Sequence, residues 1–459
     1  MVDFGEIDSM TKLTFHGGAG EVTGANILID FDTQRVLVDC GLHQGEAFNT
    51  DEKNKEPFAY NAASVHALFI THAHADHIGR VPFLVKHGFH GVIYSTEETR
   101  AIAELVLKDA IHIFKDHEQR FGTKPLYEQS DLEHALMLWK TVQFHQKIDV
   151  GDGVHAHYTP VGHILGAGAV HFTRQGKKLV CTGDIGNSPD VLLPDPEPLD
   201  GADFIVMESV YGDRSHTDRD VRHELLAKII KETAEKHRTL IIPSFAVHRT
   251  QSLLFEIHHM VHTGAIAPIP VYLDSPLAID ATEVYRRSVH LFKDAVKAEG
   301  ADLFDFPKLT IVKHGRESAR LNDIPGAKII IAGSGMSVGG RVVSHEQALL
   351  GDKNTTVLFV GYQSPGTLGR RIQDGQSKIR IGESWIHVRA KIETIHGYSG
   401  HADKEGLMDF VEKAGDSIKK VFVIMGEPKA AQFLSQRIHD FYGIHTEVPS
   451  EHESFDIDF

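Results

Sequence analysis

Thr71-His72-Ala73-His74-Ala75-Asp76-His77 follows directly on the apolar run Ala67-Leu68-Phe69-Ile70. The run reads as a strand by its length and apolar content, and the histidines leave it on a loop. Three imidazoles and a carboxylate spaced H-x-H-x-D-H at a strand end converge on a small volume. Their types suit zinc, which takes His nitrogen at about 2.0–2.1 Å and Asp oxygen at about 2.0–2.2 Å. Working outward, three more metal-binding residue types occupy similar places. His163 lies in Gly162-His163-Ile164-Leu165-Gly166-Ala167, Asp184 in Thr182-Gly183-Asp184-Ile185-Gly186, and Asp39 closes Val36-Leu37-Val38-Asp39. Singly, the aspartates are ordinary turn formers. Each, however, follows a strand-like run as the first motif does, so all of them can point into one cleft.

The rest of the composition bounds what surrounds that cleft. With 459 residues, 41% of them hydrophobic and 24% charged, the chain has the make-up of a globular protein of two or three domains. No apolar run approaches the ~18 residues of a membrane span, so no membrane is expected as a partner. The start, MVDFGEIDSM, lacks a basic and apolar leader. Two cysteines, Cys40 and Cys181, sit in strand-like runs and cannot build a disulfide framework, so a cytoplasmic protein is expected. A net charge of -16 argues against a generally basic nucleic-acid wrapper. The charge is uneven: residues 216–383 hold 22 Lys/Arg against 19 Asp/Glu, a net of +3, which leaves -19 for the remainder.

The patterning changes at the same places. Before about 215, short strands (Lys12–His16, Ala25–Phe31, Arg35–Cys40, Ala169–Thr173, Lys178–Thr182, Phe204–Glu208) surround a helix over 97–118. From 216 the pattern predicts strand and helix in alternation: a helix at Arg222–His237, a strand at Thr239–Ile242, a helix at Thr250–His262, and strands at Val271–Leu273 and Lys328–Ala332. That alternation predicts a parallel α/β unit. After 384, strand patterns return at Trp385–Ile395 and Lys420–Met425.

Taken with these motifs, the chain resembles the metallo-β-lactamase superfamily. Met207-Glu208-Ser209-Val210-Tyr211-Gly212-Asp213-Arg214 resembles the acidic motif that opens a β-CASP insertion, and Ser399-Gly400-His401-Ala402-Asp403 the histidine motif that follows it. Between them, Gly333-Ser334-Gly335-Met336, Gly339-Gly340-Arg341, Gly361-Tyr362-Gln363 and Gly366-Thr367-Leu368-Gly369-Arg370-Arg371 are typical of RNA-processing β-CASP nucleases. The resemblance is to prokaryotic enzymes similar to the 73-kDa subunit of the cleavage and polyadenylation factor, in the form without a KH domain. It implies a four-layer αββα metallo-β-lactamase domain, residues 1–215 and 384–459, with an inserted parallel α/β β-CASP domain at 216–383.

The same resemblance implies two zinc ions per chain. One is assigned to His72, His74, His163 and the bridging Asp184; the other to Asp76, His77, Asp184 and a histidine near the C-terminus. That last ligand is where the sequence departs, because Ile424-Met425-Gly426-Glu427 stands where the family carries valine-histidine-glycine-glutamate. A thioether is a soft, weak zinc ligand, and Met425 is read as strand-end packing. The implied activity is zinc-dependent hydrolysis of RNA phosphodiester bonds, with single-stranded RNA as partner. Asp76 and Asp184 orient the attacking hydroxide, Asp39 supports the ligands from behind, and His401 protonates the leaving oxygen with Glu208 holding it charged. Ser334, Arg249, Arg341, Arg370 and Arg371 are the candidate phosphate contacts. A DNA-directed nuclease, a small-molecule hydrolase and a catalytically silent RNA-binding subunit are the rival readings. Endonuclease and 5′-exonuclease modes both stay open, and relatives of this kind often dimerise, which allows a homodimer.

Overall fold

The computed structural model describes residues 10–45, 52–216, 221–300 and 302–459. The chain folds as two compact units, one of Met1–Asp190, Pro194–Ser215 and His401–Phe459, the other of Val191–Leu193 and His216–Gly400.

The first unit is a sandwich of two seven-stranded sheets. One runs Ser454–Asp458, Met10–Gly17, Asn26–Asp30, Arg35–Val38, Ala67–Phe69, Val92–Thr96, Trp139–Val142. The other runs His445–Glu447, Lys420–Ile424, Phe204–Glu208, Lys177–Cys181, Gly168–Arg174, Val154–Pro160, Ile148–Gly151. Alternation decides which faces meet: Leu13 and Phe15 on one strand, Ile27 and Ile29 on the next, point inward with Phe69. They pack on Tyr158, Phe172, Leu179, Val206 and Phe422 of the opposing sheet. Phe69 meets Phe172 edge-on at 5.1 Å between ring centroids, the arrangement aromatic quadrupoles favour. The helices Glu97–Phe121, Gln129–Leu138, Lys404–Lys413 and Pro428–Tyr442 complete the αββα layering. Cys40 and Cys181 are free and buried, and burial pushes the Cys40 thiol up to about 12, so neither is a thiolate.

Where Arg35–Val38, Ala67–Phe69, Lys177–Cys181, Phe204–Glu208 and Lys420–Ile424 run, each is parallel to a neighbour. Their carboxyl ends therefore lie together along an edge of the sandwich, the usual place for function in such sheets.

The second unit is built on a six-stranded sheet ordered Leu309–Ile311, Val271–Asp274, Lys328–Ala332, Thr239–Pro243, Thr355–Phe359, Lys391–Thr394, all pairs parallel. The fully buried run Lys328–Ala332 is central, as expected of a strand covered on both faces. The strand pattern over Trp385–Ile395 resolves into two strands. Ser384–His387 forms a hairpin with Lys378–Ile381, and Lys391–Thr394 joins the six-stranded sheet beside Thr355–Phe359. The break comes where Arg389 and Ala390 both donate their N–H groups to the Leu350 carbonyl, at 2.8 and 3.0 Å. Among the described residues, no helix is long and apolar enough to cross a membrane.

Candidate metal centre

The strand Ala67–Phe69 is followed by Ile70, and Thr71 begins the turn that carries the histidines. Asp39 organises them. Its carboxylate, 1% exposed, accepts the Thr71 N–H at 2.8 Å, the Thr71 hydroxyl at 2.7 Å and His77 Nδ1 at 2.7 Å. A carboxylate can only accept, so Nδ1 of His77 carries a proton, and it is the neutral form of the ring that has its lone pair on Nε2. The backbone is closed just as tightly. The Cys40 N–H bonds the His77 carbonyl at 2.8 Å, the Leu42 N–H that of Ala75 at 2.9 Å, and the Ala25 N–H that of Asp76 at 2.9 Å. A Cβ on Gly41 would lie 1.5 Å from the Asp76 carbonyl oxygen, so only glycine allows this approach. Thr71, given no role of its own in the sequence reading, links Asp39 to both His72 and His77. Its signal was its place as first residue of the motif.

Four donor atoms converge beyond this frame. His74 Nδ1 lies 3.1 Å from both His72 Nε2 and His163 Nε2. Asp184 Oδ2 lies 3.4 Å from His72 Nε2 and 3.5 Å from His163 Nε2. A tetrahedron of ligands about 2.0–2.1 Å from zinc has edges of about 3.4 Å. The donor set therefore fits a tetrahedral ion. Electrostatics agree: burial lowers the pKa of His72, His74 and His163, keeping them in the neutral form that ligates.

A second place opens on the other oxygen of Asp184. His77 Nε2 stands 3.3 Å from Asp184 Oδ1, and both atoms are buried without a hydrogen-bond partner. Such a pair is costly unless something cationic satisfies it. Burial alone would strip His77 of charge, yet Asp184 and Asp39 outweigh it and push the imidazole well above its usual range. Burial likewise opposes the charge on Asp184, while His77, His72 and His401 hold its carboxyl well below the usual carboxylate range. Asp76 opens the short helix Ala75–Ile78, and burial raises its carboxyl. Met425 follows the strand Lys420–Ile424 with φ at 47° and 2% exposure. It packs in the sandwich core and lines a small cavity shared with His77, Asp39 and Glu208. Its sulfur lies against Gly18, where a Cβ would come within 2.5 Å.

His401 and Glu208 form a pair beside this centre. His401 Nδ1 lies 3.1 and 3.2 Å from the two Glu208 oxygens and 3.8 Å from Asp184 Oδ2. Glu208, fully buried at the end of Phe204–Glu208, also accepts the Ile185 N–H at 2.6 Å. Burial works against charge on His401, but Glu208, Asp184 and Asp76 raise it to about 9. Its imidazolium is thus the resting form at neutral pH, with Nδ1 fixed by Glu208.

The five phosphate-contact candidates belong to the second unit. Arg341 has its fork occupied: one arm donates to Asp274 at 2.5 Å and to the Val312 carbonyl at 2.9 Å, the other to the Lys313 carbonyl at 2.8 Å. Arg249 donates to the Val360 carbonyl. Arg370 pairs with Asp374, one helical turn on, at 2.9 Å. Arg371 keeps a buried Nε with no hydrogen-bond partner. The Ser334 hydroxyl accepts the Val338 N–H at 3.1 Å and donates to the Gly339 carbonyl at 3.3 Å, closing the loop after Lys328–Ala332.

Comparison with known proteins gives three family models along the chain. The metallo-beta-lactamase superfamily matches residues 19–243, the Beta-Casp domain 250–372, and the Zn-dependent metallo-hydrolase RNA specificity domain 385–449. Ribonuclease TTHA0252 of Thermus thermophilus is 34% identical over 86% of this chain and 89% of its own length. Transcription termination factor FttA of Pyrococcus horikoshii is 31% identical over 96% of this chain and 70% of its own length. The RNase J-like protein of Methanocaldococcus jannaschii is 29% identical over 96% of this chain and 98% of its own. A crystal structure of a protein of unknown function from Enterococcus faecalis shares the fold, with a TM-score of 0.59 at 13% identity, over 98% of this chain and all of that one.

Proposed function

Since the chain belongs to the β-CASP group of the metallo-β-lactamase superfamily, we propose that it is a metal-dependent ribonuclease that hydrolyses phosphodiester bonds of single-stranded RNA. The observation that carries this reading is the four-donor tetrahedron of His72, His74, His163 and Asp184 with the His401–Glu208 pair beside it. His77, Asp184 and Asp76 are assigned to a second ion, and zinc is the metal their nitrogen and oxygen donors suit.

Bound metal would lower the pKa of water and draw charge from the phosphoryl oxygens. The chain's own residues do the rest. Asp184 and Asp76 accept hydrogen bonds from the attacking water and fix its direction. The imidazolium of His401 donates its Nε2 proton to the departing ribose oxygen, while Glu208, bonded to Nδ1, keeps the ring charged until then. Asp39 holds the His77 ring in its ligating tautomer. Substrate phosphates fall to the inserted domain, with Ser334, Arg249, Arg370 and Arg371 as contacts. Arg341 acts there by holding Asp274 in position.

The test is metal content by mass spectrometry, alongside cleavage of labelled single-stranded RNA and of the matching DNA. Two zinc ions per chain with cleavage of RNA alone is the expected result. Bound metal with DNA cut faster than RNA overturns the choice of substrate, and RNA bound without metal-dependent cleavage overturns the enzyme.

A further inference from the structure

The helix Pro428–Tyr442 starts directly after Gly426-Glu427, next in sequence to Met425 at the metal centre. Pro428 opens it and Gly443, at φ 68°, caps it. Ala430, Ala431, Leu434 and Ile438 turn inward and anchor the helix. The neighbouring stripe at the same four-residue spacing is Lys429, Phe433, Arg437, Phe441, a cation and an aromatic ring in strict alternation. Both rings face solvent, Phe433 at 39% and Phe441 at 65% exposure. The Arg437 guanidinium lies 4.6 Å from the Phe441 centroid and 5.8 Å from that of Phe433. The Lys404 ammonium stands 5.9 Å from the Phe433 ring. Arg437 Nε is buried with no hydrogen-bond partner.

We propose that this helix face is a track for single-stranded RNA, with bases stacking on Phe433 and Phe441 while Lys429 and Arg437 meet the phosphates between them. The inference rests on the ribonuclease reading and deepens it. Charge complementarity selects the occupant: a strand that alternates flat bases with anionic phosphates matches rings alternating with cations, whereas an apolar protein partner would have to desolvate Lys429 and Arg437. The stripe spans about 18 Å at 1.5 Å per residue, room for a few nucleotides. The helix also falls within the segment, residues 385–449, that matches the RNA specificity model.

The test uses the full zinc-loaded chain carrying His401→Ala, so that a labelled single-stranded RNA of about twelve nucleotides stays intact during titration. Adding Phe433→Ser with Phe441→Ser is expected to weaken binding about tenfold per ring. Lys429→Ala with Arg437→Ala is expected to flatten the salt dependence by about 1.4, at about 0.7 per phosphate on a single strand. In chains that keep His401, hydrolysis of bis(p-nitrophenyl) phosphate stays unchanged, because these surface changes leave the metal centre intact. Equal RNA affinity with and without the rings overturns the track while leaving the ribonuclease reading standing. A drop in mass by light scattering at unchanged affinity overturns it in favour of a homodimer contact. Failure of the parent chain to bind RNA at all sinks both readings.

Discussion

Asp39→Asn changes one atom, and the structure states what that atom was doing. The carboxylate accepts three hydrogen bonds in a place 1% exposed: the Thr71 N–H on Oδ1, and the Thr71 hydroxyl and His77 Nδ1 on Oδ2. An asparagine that keeps its oxygen toward the Thr71 N–H presents NH2 to His77 at 2.7 Å. That donor drives the His77 proton from Nδ1 to Nε2, the atom facing Asp184 Oδ1 at 3.3 Å. The opposite orientation sets NH2 against the Thr71 N–H and leaves two buried donors in conflict. Either way about 1–3 kcal/mol is lost from the charge-assisted bond, which is a factor of about 10–100 in affinity at the place His77 serves. Asp39 bonds none of His72, His74 and His163 directly, and reaches His72 only through the Thr71 hydroxyl. Zinc titration against a chromophoric chelator should therefore show the weaker step displaced by that factor and the tighter step shifted by less than about threefold. Equal weakening of both steps, or of neither, would refute the assignment of Asp39 to His77.

Met425→His should raise the metal count per chain at limiting zinc, read by mass spectrometry; an unchanged count means the position is core packing alone. Glu208→Gln and His401→Ala should each lower kcat by about 10²–10⁴ while zinc content stays constant; a parallel loss of zinc would turn the pair into ligand supports. With His401 raised to about 9, kcat/KM should fall as pH climbs past that value, and Glu208→Gln should bring the alkaline limb down. Glu346, buried with only the Ser337 hydroxyl at 2.6 Å, has its carboxyl raised by burial to about 7. A raised carboxyl favours the neutral folded form, so its stabilisation is full below 4.5 and disappears as pH rises through about 7, a loss of about 3 kcal/mol. Glu346→Gln should flatten the fall in melting temperature between pH 5 and 8 relative to the parent; parallel curves would contradict it.

The metal centre was legible because its core is contiguous: a strand, then H-x-H-x-D-H, with the remaining donors each closing a strand. The local periodicity of Phe204–Glu208 and Lys328–Ala332 gave both bounds, since a fully buried strand is a clean apolar run. Val154–Pro160 escaped notice because its inward residues alternate with histidines, His155 and His157, so hydropathy never rises. The joining of Lys391–Thr394 to Thr355–Phe359 was hidden for another reason. Strand pairing is decided by packing between distant segments, and a continuous β-rich stretch does not announce a break at 388–390. Arg341 shows the same limit, as nothing near it in sequence marks Asp274 as its partner.

Asp184 gives one oxygen to each set of nitrogens, Oδ2 toward His72 and His163 and Oδ1 toward His77. The two sets are therefore not independent compartments. Whatever cation loads the richer set withdraws electron density from the oxygen offered to the poorer one, and linkage makes that penalty mutual. If two ions load as proposed, the order would follow donor count, and the poorly supplied side, with Met425 at its edge, would fill last and empty first. On that proposal a half-loaded population would precede an empty one under metal starvation, and catalytic output would track the supply of free metal well before the fold feels its loss.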